Sequence, residues 1–235
     1  DINMKDLRLI TITLAMMTFV ACGPIQRTRQ SEDTPVRTPE TENLLINLKK
    51  VSARGFMFGH HDDTNYGIGW EGDEGRSDVK SVCGDYPAVI SFDLGHIELG
   101  DTMSLDKVPF TKIRKEILNQ YKRGGMSSLS WHLRNPLTGG DSWDVSDTTV
   151  VKSILPGGAN HEKFTGWVSK VSAFINSLQT EEGVKVPVLF RPWHEHTGSW
   201  FWWGEKLCTP EEYKALWHIT VDILRNDGVD NALYA

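Results

Sequence analysis

The sequence predicts an α/β protein built as a (β/α)8 barrel, with about the first half present: four strand–helix units and the start of a fifth strand. Three observations lead there. From Leu44 onward, short apolar runs alternate with segments of helical period, as parallel strands buried on both faces alternate with crossover helices. Polar residues crowd the C-terminal ends of the apolar runs, namely His60-His61-Asp62-Asp63, Asp93, His132 and His194-Glu195-His196. A barrel enzyme places its chemistry at that end. No Gly-rich phosphate loop follows any strand, since Gly67-Ile68-Gly69 has the wrong continuation and follows a polar loop. That disfavours the open doubly wound sheet, which the same alternation would also permit.

The strands are expected over Gly55–His60, Pro87–Asp93, Met126–His132 and Val186–Arg191, with a fifth beginning at Ala232-Leu233-Tyr234. Pro187 is tolerated as a strand-entry residue. Between them, Phe110, Ile113, Ile117, Leu118 and Tyr121 share one helical face, and Gly124-Gly125 stop that helix. Phe164, Trp167, Val168, Val171, Phe174, Ile175 and Leu178 form a second stripe. Thr209-Pro210-Glu211-Glu212 is a strong start signal, with a capping Thr, Pro at the first helical position and Glu at the third. A barrel of eight units typically takes about 250 residues, so the chain reads as a fragment of a longer protein.

Residues 1–22 read as upstream residues plus a signal peptide. Lys5 and Arg8 precede an apolar stretch from Leu9 to Val20, too short to span a bilayer. Phe19-Val20-Ala21-Cys22-Gly23 resembles a lipoprotein cleavage box, making Cys22 the expected lipidation site; an ordinary secretory signal is the alternative. Residues 23–43 are polar, carry Pro24, Pro35 and Pro39, and read as a disordered tether. Residues 44–235 then form the catalytic domain. The expected location is the bacterial outer membrane or cell surface, with a periplasmic or secreted protein as the alternative, and the only membrane contact is the lipid anchor. Cys83 and Cys208 fall in different units and are expected as free thiols. A net charge of -6 gives no basic face for nucleic acid. Nothing in the sequence bears on oligomeric state.

The richest stretch for chemistry is Phe190-Arg191-Pro192-Trp193-His194-Glu195-His196-Thr197-Gly198-Ser199-Trp200-Phe201-Trp202-Trp203-Gly204. A carboxylate stands where a buried strand breaks into a loop, flanked by imidazoles and followed by aromatics. Glycosidic bonds are cleaved by paired carboxyl groups, one of which protonates the leaving oxygen, and Trp faces stack on sugar rings. A plain structural role also fits, with Trp200 to Trp203 in the core and Glu195 paired to Arg191.

The run RPWHEHTGSWFWWG closely resembles the acid/base region of glycoside hydrolase family 26, the β-mannanases. GHHDDTNYGIGW (59–70), SDVKSVCGDYPAVISFDLGHIE (77–98), SWHLRNPLTGG (130–140), LPGG (155–158) and LCTPEEYKALW (207–217) agree with it. Within the family, the chain looks most like lipoproteins of Bacteroides-type bacteria. The resemblance implies a (β/α)8 retaining enzyme that hydrolyses internal β-1,4-mannosidic bonds in mannan, glucomannan or galactomannan, without a cofactor. It implies Glu195 as the proton donor and acid/base, with His194 supporting it against the nucleophile or the sugar 2-OH. His132 and Trp200 match substrate-contacting positions, and Trp203, Arg191, His60 and Glu98 are further cleft candidates. The nucleophile is a Glu on the family's seventh strand, beyond Ala235, so this chain alone is expected to be inactive.

Two other readings compete with this one. His60, His61, Asp62 and Asp63 look like metal ligands, but adjacent strand residues point to opposite faces, and no catalytic metal is expected. A structural Ca2+ in the loop from Asp62-Asp63 to Asp73-Glu74 is the weaker metal reading. The other rival is a non-catalytic cell-surface glycan-binding lipoprotein, which would share the Trp-rich surface but would have no need of His-Glu-His at a strand end.

Overall fold

The computed structural model describes residues 36–235; the expected leader, Cys22 and most of the expected tether lie outside the described residues. Five parallel strands, β1 (Gly59–His61), β4 (Val89–Asp93), β5 (Met126–Ser130), β6 (Val188–Arg191) and β7 (Ala232–Tyr234), pair in that spatial order. Each neighbour in the sheet is the next long strand in sequence, the order of a (β/α)8 barrel rather than of a doubly wound sheet, where the order reverses. A two-residue hairpin, β2 (Tyr66–Gly67) with β3 (Trp70–Glu71), sits in the loop after β1.

The helices are α1 (Pro39–Ser52), α2 (Asp78–Cys83), α3 (Phe110–Lys122), α4 (Val150–Ile154), α5 (His161–Asn176) and α6 (Pro210–Asn226). α6 begins as its sequence predicts: Thr209 Oγ1 accepts from the Glu212 N–H (3.1 Å), and the Glu212 carboxylate accepts from the Thr209 N–H (2.9 Å). That reciprocal box satisfies two amides the helix itself leaves unbonded. α1 corrects the expected tether, which ran to residue 43. Thr38 caps it through the Thr41 N–H, Pro39 occupies the first turn, and the Thr38 N–H donates to the Asp230 carbonyl at the entry to β7. The folded domain therefore begins before Leu44.

Strand alternation sorts the sheet into two faces. Ile90, Phe92, Leu129, Val188 and Phe190 point outward and are fully buried. They pack with Ile113, Ile117, Phe164, Val168, Val171, Ile175, Leu216 and Leu224 from the helices. Each such side chain contributes about 1.5–3 kcal/mol by leaving water. On the inner face, Ser91 and Asp93 align with Ser128 and Ser130, and these with Leu189 and Arg191. Apart from Leu189 these inner-face residues are small or polar, and the C-terminal strand ends supply the chemistry of that face.

Candidate active site

β6 ends at Arg191, and the chain turns sharply. Pro192, Trp193 and His194 are buried, and Glu195 emerges exposed with φ 56, in the left-handed region. One turn of 3-10 helix (His196–Gly198) follows, and Ser199 is again left-handed (φ 60). A Cβ at Gly198 would collide with the Trp200 ring, so glycine here lets the indole keep its place. This tight turn folds Trp200 back over the carboxylate, so its Nε1–H donates to Glu195 Oε2 at 2.9 Å while the indole stays 48% exposed. Glu195 makes no ion pair with Arg191.

Beneath the turn lies an aromatic block. Trp193, Trp202 and Trp203 are essentially inaccessible, with ring centroids 5.2–5.6 Å apart at steep angles. Trp203 is thus not a cleft residue. Its Nε1–H donates to the His194 carbonyl (2.9 Å), pinning the peptide just before Glu195. Trp193 Nε1 donates to Thr220 Oγ1 and the Tyr213 hydroxyl donates to the Trp193 carbonyl (2.7 Å), tying the turn to α6. The structural alternative therefore holds for Trp202 and Trp203 and fails for Trp200.

Asp93, His132 and His194 meet beside Glu195. His132 Nδ1 lies 2.6 Å from Asp93 Oδ2, and His132 Nε2 lies 3.0 Å from His194 Nε2. Asp93 also accepts from Ser130 Oγ (2.6 Å), the Gly95 N–H (2.6 Å) and the His132 N–H (3.2 Å). Gly95 makes this approach possible, because a Cβ there would lie 2.9 Å from Asp93 Oδ1 and 2.8 Å from the His132 carbonyl. Burial works against the Asp93 carboxylate, but His132, Ser130 and Gly95 outweigh it and hold its pKa below the usual value. Burial, reinforced by His132 and Arg191, lowers that of His194.

Trp143, 51% exposed, stacks flat on His132 with centroids 5.4 Å apart and planes within 6°. Its loop is organised by the buried Asn135, whose Oδ1 accepts from the Leu137 and Thr138 N–H groups and whose Nδ2 donates to the Asp144 carbonyl. In the sequence, Trp143 stands in a polar, Gly-rich loop (135–147) that could shape the far end of the cleft or be only a surface loop, and Asp93 is marked only as one of the polar strand ends.

Two further expectations change. His60 lies in register with outward-facing Ile90, and His61 with inward-facing Ser91, whose hydroxyl is 2.8 Å from His61 Nδ1. His61, not His60, faces the inner side. Glu98 is fully buried in the Ile97–Leu99 turn, accepting from Trp131 Nε1 (3.0 Å) and the Arg134 N–H (2.8 Å); it joins the loops after β4 and β5 and is out of the cleft. Burial raises its pKa despite those donors. Arg191 is exposed on the inner face, as a cleft position requires. Of the four acids of the suggested Ca2+ loop, Asp73 pairs with Arg76 (2.9 Å) and Glu74 with Lys115 (2.7 Å), whereas Asp62 and Asp63 are buried next to His61 and His60. Cys83 and Cys208 are free thiols.

An exposed carboxyl at the end of a parallel strand, with an indole bonded to it and imidazoles nearby, is one half of the paired-carboxyl arrangement that glycoside hydrolases use. The sequence profile of glycosyl hydrolase family 26 matches residues 34–235, and the chain belongs to that family. It is 35% identical over 204 residues to a mannan endo-1,4-beta-mannosidase of Bifidobacterium adolescentis, covering 84% of this chain and 20% of that protein. Against a Bacillus subtilis protein of the same description it is 26% identical, covering 84% of this chain and 56% of the relative. Among solved structures, a GH26 beta-mannanase from Bacteroides ovatus superposes with TM-score 0.83 at 65% identity, over 84% of this chain and 58% of that one. A modular endo-beta-1,4-mannanase from Cellulomonas fimi gives TM-score 0.77 at 35% identity, over 85% and 46%. The chain thus spans less than three fifths of each of these relatives.

Proposed function

We propose that the protein hydrolyses internal β-1,4-mannosidic linkages of mannan, glucomannan or galactomannan with retention, and that Glu195 is its acid/base. The observation that carries this is the exposed Glu195 carboxyl held by the Trp200 indole at the C-terminal end of a barrel strand. An aromatic neighbour with one polar edge suits a group that must give up a proton to a leaving oxygen and take one back from water. Trp200 and Trp143 offer two exposed indoles for sugar rings beside it. His132 and His194 shape the floor between them, and Arg191 adds positive charge to the same face.

A retaining site needs a second carboxylate about 5 to 5.5 Å from the first. The family resemblance puts it on a seventh barrel strand, and five barrel strands are described here. The 235 residues alone are accordingly expected to release no sugar. Lipid anchoring through Cys22 rests on the sequence of residues 4–23; metabolic labelling with palmitate that survives Cys22→Ser would refute it.

The deciding experiment is reducing-end release from β-mannan by the full-length protein, with Glu195→Ala beside it. Release by the wild type alone supports both activity and role. Binding of mannan by both without release would instead favour a glycan-binding lipoprotein.

A further inference from the structure

The tightest polar contacts on the inner face do not involve Glu195. They run from Asp93 through His132 to His194, and their partners determine where the imidazole protons sit. Asp93 Oδ1 takes two backbone N–H groups, from Gly95 and His132, and Oδ2 takes Ser130 Oγ and His132 Nδ1. An ionised carboxylate only accepts, so His132 carries a proton on Nδ1. Its Nε2, 3.0 Å from His194 Nε2, is then either bare or protonated.

The second histidine decides between these. His194 Nδ1 is buried and has no hydrogen-bond partner among the described residues. If His132 were doubly protonated, it would donate to His194 Nε2 and force the His194 proton onto Nδ1, a buried N–H without an acceptor. An orphaned buried donor is the rarer and costlier outcome than an unused lone pair. The alternative places one proton on His132 Nδ1 and one on His194 Nε2, so every ring N–H has an acceptor.

We propose that Asp93 is a positioning residue: through His132 it fixes His194 as a neutral imidazole with its proton on Nε2. The inference deepens the reading of Glu195 as acid/base and rests on it. His194 immediately precedes Glu195, and a positive imidazolium beside a carboxyl group favours the carboxylate. A neutral His194 leaves the acid free to hold the proton it must deliver. The arrangement also leaves neither imidazole a free N–H for the sugar: His132 presents its ring, stacked on Trp143, rather than a hydrogen bond.

Asp93→Asn tests this sharply. The Oδ1 position accepts two backbone N–H groups, so the amide oxygen must take that place and the NH2 must face His132 Nδ1. A donor there strips Nδ1 of its proton, moves it to Nε2, and drives the His194 proton to Nδ1. Imidazole 15N spectra of the full-length wild type should show protonated His132 Nδ1 and His194 Nε2, and the variant should show both reversed. kcat on β-mannan should fall about 10- to 100-fold, the scale on which partners that orient a working imidazole act, with KM nearly unchanged. Ser130→Ala removes the other bond to Oδ2 but leaves the imidazole protons alone, so it should keep the wild-type spectrum. A wild-type proton on His194 Nδ1, unchanged spectra in Asp93→Asn, or reversed spectra with undiminished kcat would each overturn the proposal. If the wild type releases no sugar, the functional reading fails and the spectra still decide the tautomer.

Discussion

Two His–Asp clusters line the inner face of the same sheet, and they are built differently. In the middle of the sheet, Asp93, His132 and His194 are joined at 2.6 and 3.0 Å. At the edge, His61 Nε2 lies 3.4 Å from Asp62 and 3.7 Å from Asp106, a looser set. Asp93 has strand neighbours to serve it, its register partner Ser130 and the backbone beyond, whereas Asp62 follows the end of β1 and takes its close side-chain hydrogen bond from Asn65 (2.7 Å). The titration behaviour follows. Donors hold the pKa of Asp93 down, while burial pushes that of Asp62 up to about 6 although His61 and Asn65 oppose it. Burial would lower His61, but Asp106 and Asp62 outweigh it and raise it. The same residue types thus make a closely bonded cluster in one place and a looser one in the other, and the number of donors within reach decides which.

The largest effect that would sharpen this contrast is at the group the central cluster supports. Glu195→Gln should lower kcat/KM on mannan by about 10²–10⁴, the range of a lost general acid–base, with the unfolding midpoint unchanged because the side chain is exposed. Next is the aromatic floor: Trp193→Ala should cost about 3–5 kcal/mol in denaturant unfolding, and a cost below about 1 kcal/mol would mean that the block does not hold the turn.

The third prediction concerns sign. Below pH 3.8 both folded and unfolded chains hold the Asp62 proton, so the site costs nothing. As pH rises towards about 6 the unfolded chain releases it first and stability falls, by at most about 3 kcal/mol at 1.36 kcal/mol per unit. Asp62→Asn should therefore stabilise the protein most above pH 6, and the gain should shrink towards zero as the pH falls below 3.8. Asp93→Asn should do the opposite, because its depressed pKa stabilises the fold above the unfolded value and that stabilisation is lost on acidification. Equal signs in urea melts across pH 4–7 would break the comparison. The smallest effect is at Trp200→Phe, which removes one hydrogen bond to Glu195 and should cost about 1 kcal/mol, roughly fivefold in kcat.

What the sequence revealed depended on how local the signal was. The central strands and α6 were legible because apolar runs and the Thr209-Pro210-Glu211-Glu212 box are contiguous. α1 carries part of the same signal, Thr38 and Pro39, but its polar composition and lack of a third-position Glu read as tether. Glu195 was visible from its place at a strand end. Choosing between His60 and His61 needed the register with β4, since a shift of one residue exchanges the faces. Asp93 acts through a partner 39 residues away, and Trp200 and Trp203 take opposite fates within an irregular turn that has no period to read.

The left-handed backbone at Glu195 (φ 56) has a consequence for mutational tolerance. Glycine enters that conformation without the steric cost of a Cβ, so the backbone alone would favour it there. Glu195→Gly should therefore fold at least as well as its parent while losing the chemistry. A library sorted for thermal endurance alone would enrich such a silent protein, and one sorted for sugar release would restore the carboxylate: at this position durability and usefulness are selected in opposite directions.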